Sequence, residues 1–464
     1  MKHQRDLRSL SPVSGVLALL LAMPLSAADY FVSSAGSDDN PGSPEAPWRS
    51  IAKVNQTSLE PGDRVLFRRG DRWEETLHPS SSGAPGNPIT YADFGGGVRP
   101  IITGAPNDHC IEWSTTRSHL VFRGLHLKDC GQPSGGTRGA LAVWNEAADS
   151  RDILLEDSLL ENAQTWNIYL TGIDGLRIRG NTIRNAEQQH GIYLDGTLGI
   201  NDVVIEDNDI YGNRAMCVQF NSNGKNRLTN VTLRYNRLHD CGYGGLNNIG
   251  TDGLRAHHNL FYGAMPGIYN GCDGADAGCS RGSIGGVFAN NTILTSGDGW
   301  STCFSNESSQ GTPDFSAFVN NICVHDASRG SAFQHMENTG GQNVDYNLFY
   351  SNRTDSPIFV WRGREYRGFD DYRSATDNEA NGLFADPRFV DAGRGDMSLA
   401  ADSPAIDSGT SLGFERDLEG EPVPRGSAPD RGAIEAASAE EPPETPSDLQ
   451  IELQSSLNKQ LFWR

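Results

Sequence analysis

Residues 190–196 read HGIYLDG, which places an imidazole (His190), a phenol (Tyr193) and a carboxylate (Asp195) within a short stretch. Groups of this kind suit acid–base chemistry, such as removal of a proton from a carbon beside a carboxylate with protonation of a departing oxygen. That reaction needs a base, a cation or strong donors, and an acid. His190 and Lys225 are the candidate bases, Arg214 and Arg281 the candidate neutralising cations, and Tyr193 the candidate acid. Each has a plainer reading: His190 as a corner histidine bonded to a neighbouring segment, Lys225 in NSNGKNR as part of a surface turn. Hydrolysis would require two carboxyls, about 5 Å apart for retention or roughly 6.5–9.5 Å for inversion. Asp195 has no evident carboxylate neighbour, because Asn221 and Ile249 occupy its place in the next two repeats. In the loop YNGCDGADAGCSRG, Asp273 and Asp276 are candidate calcium ligands through oxygen, although the spacing is not that of an EF-hand. The alternative is a turn pinned by Cys272 and Cys279 that carries surface acids.

The elements that position these residues follow from a repeat. An apolar strand ending in Asn, then Ile, Leu or Phe one residue further on, recurs as LRIRGNTI, VVIEDNDI, VTLRYNRL, LRAHHNLF, VFANNTI, AFVNNIC and VDYNLF. Its asparagines are Asn181, Asn208, Asn236, Asn259, Asn291, Asn321 and Asn347, with Ser158 in an earlier copy. A second phrase lies between these: NIYLTG, GIYLDG, CVQFNSNG, GLNNIG, GIYNGC. Short strands with tight turns and a constant Asn corner predict an all-β solenoid, a parallel β-helix whose coils stack into a continuous core. The Asn column predicts a coil-to-coil ladder of amide hydrogen bonds. Alternation along a strand turns Ile192 and Leu194 inward and Tyr193 and Asp195 outward. Stacked, the second phrase gives an outward column of Tyr169, Tyr193, Gln219, Asn247 and Tyr269, flanked by Thr171, Asp195, Asn221 and Gly271. Aromatic and amide groups in that order suit a sugar chain. The Asn-phrase strands carry Arg177, Arg179, Glu206, Arg234 and His257, which read as a solvated charged side. His257 and His258 are expected to face opposite ways.

Several segments resemble a known group. YFVSSAGSDDNPGSPEAPWRSIAKV, PGDRVLFRRG and GAPGNPITYADFGGGVRPIITG resemble the N-terminal part of bacterial secreted right-handed parallel β-helix proteins of the pectate-lyase-like superfamily. FADPRFVDAGRGDMSLAADSPAIDSG and PDRGAIE resemble their closing part. The resemblance implies a right-handed coil over residues 29–435 and an extracellular carbohydrate-active protein; the superfamily includes lyases, hydrolases, epimerases and non-catalytic proteins. Neither a cluster of adjacent aspartates on the coils nor a DPHD signature is present, so those families' site residues are not carried over.

The flanks complete the organisation. Residues 1–28 combine Lys2, Arg5 and Arg8, a short apolar run and small residues, the pattern of an export signal. SPEAPWRSIAKVNQTS predicts a short capping helix begun by Pro47, with Trp48, Ile51 and Val54 on one side. Leu383 to Glu435 is loop-rich and predicts the C-terminal cap; 436–464 is a Pro/Glu-rich linker with a short tail. The 8 cysteines of an exported chain suit disulfides: Cys272 with Cys279 is read as closing a loop locally, and Cys110 with Cys130, Cys217 with Cys241 and Cys303 with Cys323 as stapling neighbouring coils. A net charge of −21 argues against nucleic-acid or anionic-membrane partners, and no later segment is apolar enough for membrane insertion. The expectation is a secreted monomer cleaving a uronate-containing polysaccharide by β-elimination, with calcium as the one candidate cofactor. A hydrolase or epimerase on the same groove, or a non-catalytic carbohydrate-binding surface protein, are the alternatives.

Overall fold

A computed structural model describes residues 27–132, 137–143, 149–222, 226–263, 267–272, 282–297, 300–308, 311–353 and 358–437. The expected export signal, but for its last two positions, and the tail from 438 onward lie outside these residues.

The chain winds as a parallel β-helix with three strand-bearing faces. The second-phrase strands stack into a groove face: Trp166–Arg179, Ile192–Glu206, Met216–Asn221, Gly244–Ile249, Ile268–Cys272, Trp300–Ser308 and Arg329–His335. The first two of these continue into the middle face, which later coils form separately as Leu228–Arg234, Arg255–His257 and Gly286–Ala289. A third face begins just after each ladder asparagine, as in Thr182–Arg184 and Asp209–Tyr211. Every pairing between successive coils is parallel, and the register keeps Ile168, Ile192, Val218, Leu246 and Ile268 in one inward row. In the C-terminal half the interior is filled by Phe288, Phe304, Phe318 and Phe333, with ring centroids about 5 Å apart.

The predicted asparagine ladder is present. Asn208 Oδ1 accepts from the Asn181 backbone N and from Asn181 Nδ2, both at 3.0 Å, and the pattern repeats through Asn236, Asn259, Asn291, Asn321 and Asn347. Ser158 starts it by donating its backbone N to Asn181 Oδ1, and the buried Glu379 ends it, 2.7 Å from Asn347 Nδ2. The residue before each rung is left-handed: Asp207, Tyr235, His258, Asn290, Asn320 and Tyr346 all have φ between 48° and 59°. That conformation turns the corner and sends the side chain outward, away from the alternation expected of a strand.

This corner track is where the closing segment docks. Residues 401–437 run back along the flank rather than only covering the open end. Arg416 bonds Asp207 at 2.9 Å and lies 3.6 Å from the Tyr235 ring centroid. Phe414 stacks on His257 at 4.3 Å and meets His258 edge-on at 4.9 Å. Thr410 N donates to Asn320 Oδ1, and Arg431 donates to the Asn347 carbonyl. The end itself is covered by the antiparallel hairpin Ile358–Trp361 with Arg364–Arg367, and by the helix Phe369–Thr376, whose Phe369 and Tyr372 are buried.

Three expectations need correction. The capping helix is present but spans Ile51–Gln56, with Ser50 as N-cap accepting from Lys53 N; Pro47 does not begin it. Trp48 is instead held extended by hydrogen bonds with Phe31 and Ser33. His257 is buried, not part of a solvated side, and its Nδ1 lies 3.1 Å from His258 Nδ1 because the left-handed His258 turns both rings together. Cys110–Cys130, Cys217–Cys241 and Cys303–Cys323 are bonded with Cα separations of 5.4, 5.5 and 5.9 Å. Each joins the start of a coil to that coil's own return path, so it closes a ring instead of stapling two neighbours. Cys272 is disulfide-bonded, while Cys279 lies outside the described residues.

Candidate functional site

The groove face carries the expected column in the expected register. Tyr169 pairs with Tyr193, Tyr193 with Gln219, Gln219 with Asn247 and Asn247 with Tyr269, and the row continues through Ser305 and Gln334. The flanking row runs Thr171, Asp195, Asn221, Ile249, Gly271 and Glu307.

Hydrogen bonds tie the two rows together diagonally and, between Gln219 and Asn247, run along one row. Tyr169 OH donates to Asp195 Oδ2 at 2.8 Å, and Asn221 Nδ2 donates to Tyr193 OH at 3.0 Å. Asn247 Nδ2 donates to Gln219 Oε1 at 2.8 Å, and Tyr269 OH donates to the Glu307 carbonyl at 3.2 Å. Asp195 Oδ1 also accepts from Thr197 N and Oγ1, so this carboxylate is engaged on both oxygens. Burial raises the Tyr169 phenol, and the Asp195 charge and hydrogen bond raise it further, so it remains a donor at neutral pH. The Tyr193 oxygen accepts from the Asn221 side-chain amide, which fixes the direction of the phenol.

His190 stands beside Tyr193, with ring centroids 5.3 Å apart. Its Nδ1 accepts from Met216 N at 3.2 Å across the coil boundary, which leaves the neutral ring's proton on Nε2. Burial pushes its pKa down to about 4. The Nδ1 lone pair is thus engaged by the backbone of the next coil, the corner-histidine arrangement weighed against the base role. Arg214 is exposed at the corner ahead of Met216–Asn221, with its backbone N bonded to Ala186 O, and does not join the column. Lys225, Arg281, Asp273 and Asp276 lie outside the described residues.

Other groove-face residues escaped the sequence reading. Trp166 packs 4.8 Å from Tyr169 and 6.2 Å from Tyr193, and is held by Gln189 Oε1 at 2.7 Å. Tyr243 and Trp300, at the leading edge of later coils, are 56% and 45% exposed. Glu307 bonds Gln334 and Ser305 on the far coils. Toward the other end the column continues through Ala142 and Glu112, with His78 next to Glu112. CIEW at 110–113 aligns with NIYL at 167–170, a signal the second-phrase copies already contained.

Residues 104–270 match the family described as periplasmic copper-binding protein NosD. Uncharacterized protein YwoF of Bacillus subtilis (strain 168) is 25% identical over 81% of this chain and 92% of its own length. A 76-residue stretch is 42% identical to lacto-N-biosidase of Bifidobacterium longum subsp. longum, covering 15% of this chain and 5% of that enzyme. Among solved structures, XylC in complex with xylose superposes with a TM-score of 0.52 at 11% identity, covering 88% of this chain and 99% of that one. Together with the coil-by-coil register, these likenesses give the chain the pectate-lyase-like, right-handed parallel β-helix fold.

Proposed function

We propose that this protein is an exported polysaccharide lyase that lays a uronate-containing chain along the groove face and cleaves it by β-elimination. The observation that carries the reading is the spacing of carboxylates beside the Tyr169-to-Tyr269 column among the described residues; the close pair Asp108 and Glu112 lies apart from it, with Glu112 two rungs before Tyr169. Asp195 and Glu307 share a row but stand four rungs apart, about 19 Å at the usual strand spacing. That is far beyond the roughly 5–9.5 Å of two-carboxyl hydrolysis. β-Elimination requires no such pair.

In this reading a base takes the proton beside the sugar carboxylate, the electron pair forms the new carbon–carbon double bond, and the glycosidic C–O bond breaks. Tyr193, oriented by Asn221, protonates the departing oxygen. With the His190 lone pair engaged, the base role falls to Lys225. Arg281, or calcium at Asp273 and Asp276, is the proposed partner for the substrate carboxylate. Tyr169, Gln219, Asn247 and Tyr269 hold the sugar chain, and Asp195 orients Tyr169. The likeness to a xylose-bound structure and the three disulfides, which persist in oxidising compartments, support a secreted carbohydrate-active protein.

The test is incubation of the purified chain with alginate, pectate and glycosaminoglycans, following absorbance at about 235 nm for the unsaturated product of proton abstraction. Growth of absorbance together with reducing ends supports the reading. Reducing ends alone mean hydrolysis and overturn it, as does binding with neither signal.

A further inference from the structure

The first two rungs of the outward column carry a group of side chains that the elimination reading does not use. His78 and Glu112 lie side by side, with His78 Nδ1 3.7 Å from Glu112 Oε1. Asp108, from the turn before the Glu112 strand, completes a trio in which one ligand atom from each residue lies within 4.8 Å of the others. The set is mixed, one imidazole nitrogen and two carboxylate oxygens, and the side chains are 48%, 32% and 27% exposed, so solvent ions reach them.

A second residue makes this a supported arrangement rather than a chance meeting of surface charges. His109 is 1% exposed, and its Nδ1 accepts from Gly139 N at 2.9 Å, which puts its proton on Nε2. That Nε2 lies 3.6 Å from Glu112 Oε2. Ligating carboxylates are themselves held by an outer layer of donors, and the buried His109 ring is placed to serve as one. Asp108 is similarly steadied, its Oδ1 accepting from His109 N at 2.8 Å.

We propose that His78, Asp108 and Glu112 form a binding site for a zinc-class divalent transition ion at the N-terminal end of the groove. The nitrogen-containing donor set favours such an ion over calcium, which takes 6–8 oxygens. Bonds of about 2.0 Å bring tetrahedral ligand atoms to about 3.3 Å from one another, a contraction that half-exposed side chains accommodate. Three protein ligands would leave a further position open, and Glu112 stands two rungs or about 10 Å from Tyr169. The site does not depend on the reaction at Tyr193, nor on the Asp273 and Asp276 loop.

The experiment is equilibrium dialysis of the untagged, metal-stripped, oxidised chain against Zn2+ and, separately, Ca2+, with visible absorption of the Co2+-loaded protein as a second readout. One Zn2+ per chain is expected, with affinity falling at least tenfold in His78→Ala and in Glu112→Gln and unchanged in a D273N/D276N variant. Both test positions are partly exposed, and unchanged thermal melting of the metal-free variants confirms their folding. Stoichiometric Zn2+ binding that survives both substitutions, tighter Ca2+ than Zn2+ binding at these residues, or no binding above background would overturn the site.

Discussion

At the scale of residues, the two tyrosines of the groove are held in different ways. Tyr169 spends its proton on Asp195, whereas Tyr193 receives a hydrogen bond from Asn221. Tyr193→Phe is therefore expected to lower kcat by about 10²–10⁴ with little change in KM, the usual span for loss of a general acid. Initial rates of double-bond formation check this; a loss confined to KM would make Tyr193 a binding residue. His190 makes the opposite prediction. With a pKa near 4 its ring is neutral at working pH, so it contributes no limb to the activity profile between about pH 5 and 8. His190→Gln should keep activity within about tenfold of the parent, and a pH profile that loses its acidic limb in that variant would restore His190 as the base.

At the scale of elements, the corner track and the strap along it respond to pH from both sides. His257 and His258, under Phe414, are held neutral by burial, with pKa values well below the ordinary histidine value. The unfolded chain takes up protons below pH 6.5 and the folded chain does not, so this stability is lost as pH falls from 6.5. Glu379, Asp430 and Glu435 shift the other way, pushed by burial up to about 8, 6 and 7. Between pH 4.5 and 8 the folded chain holds protons that the unfolded chain has released, so stability falls as pH rises, by roughly 1 kcal/mol per unit from Glu379 alone. The strap should be most protected from hydrogen exchange between about pH 4.5 and 6.5, and Glu379→Gln should flatten the loss toward pH 8. Protection that rises steadily through pH 8 would contradict this. In the ladder, Asn208→Ala leaves Asn181 N and Nδ2 without their shared acceptor, and is expected to cost about 1–3 kcal/mol in urea unfolding.

At the scale of the whole molecule, charge and stacking set how a polymer reaches the groove. The chain carries a net charge of −21, so an anionic substrate is repelled at long range. KM for such a polymer should fall as ionic strength rises from about 0.01 M to 0.15 M, since the Debye length shrinks from about 30 Å to 8 Å. A KM that climbs with salt would mean that local cations dominate the groove. The coil architecture also explains the arrangement of the closing segment. A solenoid exposes an open end and a long flank; the hairpin and Phe369–Thr376 cover the end, and residues 401–437 tie coils together from Asp207 to Asn347.

The sequence by itself determined the coil. The Asn phrase announced the ladder, alternation placed Tyr193 and Asp195 on the outer side, and copy-to-copy alignment put Tyr169 through Tyr269 in one row, because a period-2 pattern stacked in parallel has one register that buries its apolar half. Spacing also paired Cys110 with Cys130, Cys217 with Cys241 and Cys303 with Cys323, although not the way each pair lies within its coil. What the tertiary structure decided was everything that depends on corners and on distant segments. Left-handed φ at His258 brought together two histidines that alternation would separate. A backbone N–H from the next coil occupied the lone pair of His190. His78, Asp108 and Glu112 came together from two coils and the turn between them. Local patterns specify which way a side chain leaves its own strand, but a proton's position or a shared ligand depends on atoms whose separation along the chain no period records.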